Sequence, residues 1–176
     1  MIAVDLDEIV VDIGGEVEIG IGTVAGAGAN FDAGTFGRWL HRYYRFRQPY
    51  CNLGPVSGAM GYGVPGAIGA QIADPGRTVF AWCGDGGFLM TGQEAAAIVQ
   101  ENLPIKIIVC DNAAWGSILV TQNKRFGDWD FGTRLKSPDF AALAVGYGMQ
   151  GYTVRKTDEF AGALKSAMAH EGPALI

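Results

Sequence analysis

Residues 77–112 read RTVFAWCGDGGFLMTGQEAAAIVQENLPIKIIVCDN. Two apolar runs, Arg77 to Cys83 and Ile105 to Cys110, flank a helix-length stretch from Leu89 to Glu101 that Pro104 terminates. Apart from Arg77 and Thr78 at the start of the first run and one polar break at Lys106 in the second, both are apolar, as strands covered on both faces are. Two parallel strands need a crossover of about a dozen residues or more between them, and the intervening helix supplies one. The two runs are therefore expected to be parallel, adjacent and central in a sheet. Each leads directly into a polar turn: Gly84-Asp85-Gly86-Gly87 after the first and Asp111-Asn112-Ala113-Ala114 after the second.

Outward from this unit the alternation continues. Helices are expected over Phe36 to Phe46, Gly58 to Ala73 and Trp115 to Lys124, and another from Ser137-Pro138, with Ser as N-cap, to Val145–Gly148. A short strand at Gln150 to Val154 precedes a helix capped by Thr157 and running to about His170. A final strand begins at Ala174. Strands alternating with helices give an α/β domain, a three-layer α/β/α arrangement with a mainly parallel central sheet. The first thirty residues read less clearly. Ile9–Ile13 and Val17–Ile21 around Gly14-Gly15 suggest a hairpin, Val24 to Asn30 is almost all Gly and Ala, and no strand is evident before Asp32.

Composition narrows the function classes. The 176 residues are 49% hydrophobic and 18% charged, which excludes global disorder. A net charge of −5 argues against a general nucleic-acid binder. No apolar run approaches the roughly 20 residues of a membrane span, and Asp5, Asp7 and Glu8 interrupt the only stretch that could open a secretory signal. The three cysteines, Cys51, Cys83 and Cys110, have no Cys-x-x-Cys spacing and read as reduced core residues of a cytoplasmic protein.

Ligands of parallel sheets bind outside the carboxyl ends of the strands, where the two polar turns stand. The backbone N–H groups of a Gly-Asp-Gly-Gly turn can cradle phosphate oxygens. A carboxylate among them would repel phosphate unless a divalent cation lay between, and Mg²⁺ is commonly shared between protein oxygens and phosphates. Asn112 ends the neighbouring strand and can offer its amide oxygen, with the Ala114 carbonyl as a third ligand. Taken alone, Asp85 is equally an ordinary helix cap. Gly61-Tyr62-Gly63-Val64-Pro65-Gly66 also fits a Gly-x-Gly-x-x-Gly dinucleotide fingerprint, but it follows a proline-containing loop rather than a buried strand.

Gly-Asp-Gly followed 27 residues later by Asn112 resembles the signature of thiamine-diphosphate-dependent enzymes. So do Asp32-Ala33-Gly34-Thr35-Phe36, the run Gly58-Ala59-Met60-Gly61-Tyr62-Gly63-Val64-Pro65-Gly66, Asn102-Leu103-Pro104 and Ser137-Pro138-Asp139-Phe140. The resemblance covers residues 31–176 and is to the diphosphate-binding domain of the branch containing acetolactate synthase and benzoylformate decarboxylase. Residues 1–30 match poorly. It implies thiamine diphosphate and Mg²⁺ as cofactors, with Asp85, Asn112 and the Ala114 carbonyl as metal ligands. It implies diphosphate contacts at Gly34, Thr35, Gly86 and Gly87, and an aminopyrimidine acceptor at the Gly58 carbonyl. Met60 would prop the bent cofactor, although a core methionine is the commoner fate of that residue. Trp115 and Gly116 would face the reacting carbon. Asp111 departs from the Asn usual in the family, and Gly87 stands where many members have Ser.

The expected function is a domain of a 2-keto acid carboligase or decarboxylase, most like acetolactate synthase. An aldehyde lyase resembling benzaldehyde lyase is the alternative, as is a non-catalytic assembly domain. The family's activating Glu lies on a separate pyrimidine-binding domain, which 176 residues do not hold. The isolated chain is therefore expected to bind the cofactor poorly and to be inactive, with apolar surface near Met60, Phe88 and Trp115 partly exposed, and either to self-associate or to be weakly ordered over residues 1–30 and 113–135. The basic, aromatic stretch Arg38 to Arg47 could seat acidic substrates, but more often such a stretch is a solvated face.

Overall fold

The computed structural model describes residues 8–10, 20–22, 28–43 and 51–176. Strands β1 (Glu8–Val10) and β2 (Gly20–Gly22) pair antiparallel as a separate two-stranded unit, the hairpin that the flanking apolar runs suggest. The main sheet contains β3 (Gly28–Phe31), β4 (Asn52–Leu53), β5 (Val79–Gly84), β6 (Lys106–Cys110), β7 (Gln150–Gly151) and β8 (Ala174–Leu175). Its order is β4-β3-β5-β6-β8-β7, and every pair is parallel. As expected, β5 and β6 are adjacent and central.

Alternation along these two strands builds the three layers. Val79, Ala81, Cys83 and Ile107 face one side, where they pack with α2 (Gly63–Ala73), α3 (Asp85–Thr91), α4 (Ala95–Gln100) and α6 (Phe140–Tyr147) through Val64, Ala67, Phe88, Ile98 and Ala144. Phe80 and Ile108 face the other, against Phe160, Leu164 and Ala167 of α7 (Thr157–Ala169). Two further helices, α1 (Gly37–Tyr43) and α5 (Gly116–Phe126), follow the polar turns after β3 and β6. Among the described residues, no helix is long and apolar enough to cross a membrane.

The structure corrects several expectations. A strand does precede Asp32. The stretch β3 contains no β-branched residue, yet it lies between β4 and β5, and the Asp32 N–H continues the ladder to the Trp82 carbonyl at 3.0 Å. The helix expected from Leu89 starts four residues earlier, at Asp85, and a 3₁₀ turn over Gly92–Glu94 divides it. The helix beginning at residue 58 is delayed to Gly63. Asp139, not Ser137, caps α6 by accepting the Ala142 N–H at 3.0 Å. At α7 the cap residue is Lys156 rather than Thr157, while Glu159 accepts the N–H groups of Arg155 and Lys156. Phe88 is buried, in edge-to-face contact with Phe140 at 5.5 Å between ring centres. The expected helix beyond Tyr43, the basic stretch beyond it and the Gly-Ala run before Gly28 extend outside the described residues.

Candidate functional site

At the carboxyl ends of β3, β5 and β6 a cleft of about 1110 Å³ opens, lined by the turns that follow each strand. All eleven residues singled out as cofactor or metal contacts line it: Gly34, Thr35, Gly58, Met60, Asp85, Gly86, Gly87, Asn112, Ala114, Trp115 and Gly116.

The two polar turns meet at one atom. The Ala114 N–H points at Asp85 Oδ2, 3.2 Å away, and at Asn112 Oδ1, 3.1 Å away. The β5–β6 register explains the convergence, because Gly84 is paired with Cys110 and both turns leave the sheet at the same level. Ala113, at φ +53°, makes the sharp bend that brings Ala114 back over the strand ends, and the Asp111 carboxylate accepts its N–H at 2.9 Å. A short antiparallel bridge to Arg134 holds the returning chain, with the Trp115 N–H bonded to the Thr133 carbonyl at 2.8 Å.

Asp85 is buried while Asp111 and Asn112 are exposed. Burial lifts the Asp85 carboxyl above its ordinary range, and the neighbouring Asp111 adds to this. The site therefore sets a buried carboxylate beside a solvent-exposed one. Ser137 Oγ donates to Asp111 Oδ1 at 2.6 Å and lies 3.4 Å from Asp85 Oδ2. Nothing in the sequence spacing marks Ser137 for this position, since Ser-Pro before an apolar run reads as a helix start.

Close packing fixes the glycines. A Cβ on Gly86 would enter the Trp115 ring, and one on Gly87 would enter the Asp32 carboxylate. On Gly34 it would enter the Phe36 ring, and on Gly116 it would come within 2.9 Å of Asn112 Nδ2 and 3.1 Å of Thr35 Oγ1. The space a side chain would take at Gly34, Gly86 and Gly87 is thus already filled by Phe36, Trp115 and Asp32, which is why these turns carry glycine.

Asp32 organises the opposite rim. It is buried at the end of β3 and accepts N–H groups from Ala33 at 2.8 Å, Gly61 at 3.0 Å and Tyr62 at 3.2 Å. The Thr91 hydroxyl holds the Gly61 carbonyl at 2.8 Å. Gly58 and Gly61, at φ +68° and +84°, turn the chain between these anchors and leave Met60 about one-third exposed at the mouth. Trp115 is partly buried, so of the three apolar residues expected at the surface only Phe88 is fully withdrawn. The cysteines Cys51 and Cys83 are buried and Cys110 is partly so.

Comparison with known proteins supplies the family. The family model described as thiamine pyrophosphate enzyme, C-terminal TPP binding domain, matches residues 32–176. Acetolactate synthase 2, chloroplastic, of Zea mays is 36% identical over 147 residues, covering 78% of this chain and 23% of that protein. The acetolactate synthase large subunit of Porphyra purpurea is 33% identical over 147 residues, covering 82% of this chain and 25% of its own length. Among solved structures, the thiamine diphosphate-dependent 4-hydroxybenzoylformate decarboxylase of Rhodococcus jostii RHA1 superposes with a TM-score of 0.80 at 28% identity, over 86% of this chain and 29% of that one. The chain spans about a quarter of the length of the curated relatives it matches. With a parallel three-layer sheet, a cleft at its strand ends and a family match from Asp32 to Ile176, the chain belongs to the C-terminal TPP-binding domain family of thiamine pyrophosphate enzymes.

Proposed function

We propose that this domain holds the diphosphate of thiamine diphosphate through a divalent cation, within an enzyme that joins or decarboxylates 2-keto acids. The observation that carries the reading is the single Ala114 N–H shared between Asp85 Oδ2 and Asn112 Oδ1. Two hard oxygens that share one donor at 3.2 and 3.1 Å are close enough to share a cation. Among the described residues no group of three or more His, Cys, Asp or Glu converges. The donor set is accordingly one carboxylate, one amide oxygen and the Ala114 carbonyl, to be completed by phosphate and water. That composition suits Mg²⁺ and suits a softer ion poorly.

Asp85 and Asn112 would fix the cation, and the backbone of Gly86, Gly87, Gly34 and Thr35 would receive the phosphate oxygens. Gly58 would present its carbonyl to the aminopyrimidine, with Met60 beneath the bend of the cofactor. Trp115 and Gly116 would border the reacting carbon. When bound, thiamine diphosphate supplies the electron sink for making or breaking a bond beside a carbonyl. No Glu stands among the described residues lining the cleft. We assign the group that activates the thiazolium to a pyrimidine-binding domain, in the same or another chain, and the substrate to that assembled cleft. Acetolactate synthase is the preferred model for the whole enzyme because the curated relatives quoted above bear that name.

Calorimetric titration tests the reading. With a pyrimidine-binding domain supplied, thiamine diphosphate should bind in a Mg²⁺-dependent manner, and Asp85→Ala should abolish that dependence. Binding indifferent to both Mg²⁺ and the substitution defeats the assignment.

A further inference from the structure

We propose that Asp111, held toward the cleft by Ser137, is a positioning residue that sets the strength and salt dependence of divalent-cation binding at Asp85. The proposal rests on the metal reading above and adds a residue that is not itself assigned as a ligand.

Asp111 is exposed, and an exposed aspartate ordinarily samples several rotamers. Here one carboxylate oxygen is tied twice, accepting the Ala113 N–H at 2.9 Å and the Ser137 hydroxyl at 2.6 Å. The same hydroxyl oxygen lies 3.4 Å from Asp85 Oδ2. One small side chain, 26 residues beyond Asp111 and 52 beyond Asp85, thus stands between the two carboxylates. The amide oxygen of an asparagine could accept both hydrogen bonds at position 111, so the turn does not require an aspartate. What the aspartate adds is a fixed negative charge beside the metal position. With Ser137 Oγ between them, Asp111 Oδ1 and Asp85 Oδ2 are at most about 6 Å apart, and a unit charge at that separation from a divalent one, at the dielectric constant of water, changes affinity by about tenfold. Because Asp111 is open to solvent, salt should screen that contribution.

Electron paramagnetic resonance titration of Mn²⁺ into the full chain with a pyrimidine-binding domain supplied, with and without thiamine diphosphate, reads the effect without reference to activity. At low salt Asp111→Asn should weaken Mn²⁺ binding by about tenfold, and at about 1 M salt it should converge on the unmodified chain. Ser137→Ala should reproduce most of that loss, Ser137→Thr should not, and the Ser137→Ala/Asp111→Asn pair should be no weaker than Asp111→Asn alone. Asp85→Ala should remove binding in every background. If Asp85→Ala removes binding but Asp111→Asn matches the unmodified chain, the proposal fails and the metal reading stands. A loss in Asp111→Asn that persists unchanged at high salt also overturns the proposal, since it assigns Asp111 to the turn alone. Full affinity in Ser137→Ala overturns the positioning by Ser137. Mn²⁺ uptake that survives Asp85→Ala, or is never saturable, overturns both readings together.

Discussion

Replacing Asp32 probes the link between the fold and the cleft most sharply. Its carboxylate is the sole acceptor described for three N–H groups, one on Oδ2 from Gly61 and two on Oδ1 from Ala33 and Tyr62. Asp32→Ala strands all three. The Gly61 bond is fully buried, while the other two are partly buried. With about 1–3 kcal/mol for each buried donor left unpaired, and less for those that water can reach, the loss should be about 2–5 kcal/mol. That is a large share of a typical domain stability of about 5–15 kcal/mol. Asp32→Asn separates charge from geometry. Its amide oxygen can serve the Oδ1 pair or the Oδ2 partner, but its NH₂ must then face an N–H, which should cost about 1–3 kcal/mol. Urea denaturation of the three proteins should rank them unmodified, Asn, Ala in decreasing stability. Asp32→Ala within about 0.5 kcal/mol of the unmodified chain, the ordinary range for a surface substitution, would refute the reasoning. So would equal losses for both variants, which would mean that the retained oxygen does nothing.

Two further outcomes follow from the packing. Gly86→Ala should destabilise by about 1–3 kcal/mol through overlap with the Trp115 ring. Adding Trp115→Ala should recover part of that loss in denaturation experiments, and strict additivity would contradict the contact. Lys106 is buried, with Nζ donating to the His170 carbonyl at 2.7 Å and the Gly172 carbonyl at 2.6 Å, and burial pulls its ammonium down from 10.5 to about 8. Between those values the unfolded chain holds more protons than the folded one, so this group's contribution rises with pH. Lys106→Met should cost about 1–3 kcal/mol by stranding the two carbonyls. Its deficit should widen as pH rises from about 8 to 10.5, and a deficit that narrows over that window would contradict the assignment.

How much could be read from the sequence depended on where the deciding interaction lay. The central strands were legible because Val79–Cys83 and, but for Lys106, Ile105–Cys110 are apolar on both faces, a property of the residues themselves. The strand β3 was not, because Gly28-Ala29-Asn30-Phe31 has little intrinsic β preference and its place between β4 and β5 is set by pairing. Close approach accompanies this: a Cβ on Gly63 of α2 would run into the Cys83 sulfur, so a small residue there lets the helix lie against the sheet. Helix starts misled where a capping residue was used elsewhere. Ser137 gives its hydroxyl to Asp111, and Asp139 takes over the cap two residues later. The candidate site was legible as a pair of turns at strand ends, and the structure adds that they meet at the Ala114 N–H. Neither the role of Ser137 nor that of Asp32 as the anchor of the Gly61 turn follows from local sequence, since both bonds span long separations in the chain.

Asp85, Asn112 and Ala114 are proposed to hold the cation that in turn holds the diphosphate. A crystal structure of the chain together with a pyrimidine-binding domain, grown with thiamine diphosphate and Mn²⁺ and with anomalous scattering recorded at the manganese edge, is the decisive test. One anomalous peak is expected, bonded to Asp85, Asn112 Oδ1 and the Ala114 carbonyl, with diphosphate oxygens completing the shell over Gly86 and Gly87. A manganese peak elsewhere in the cleft, or ordered diphosphate over these residues with no metal beside Asp85, would contradict it.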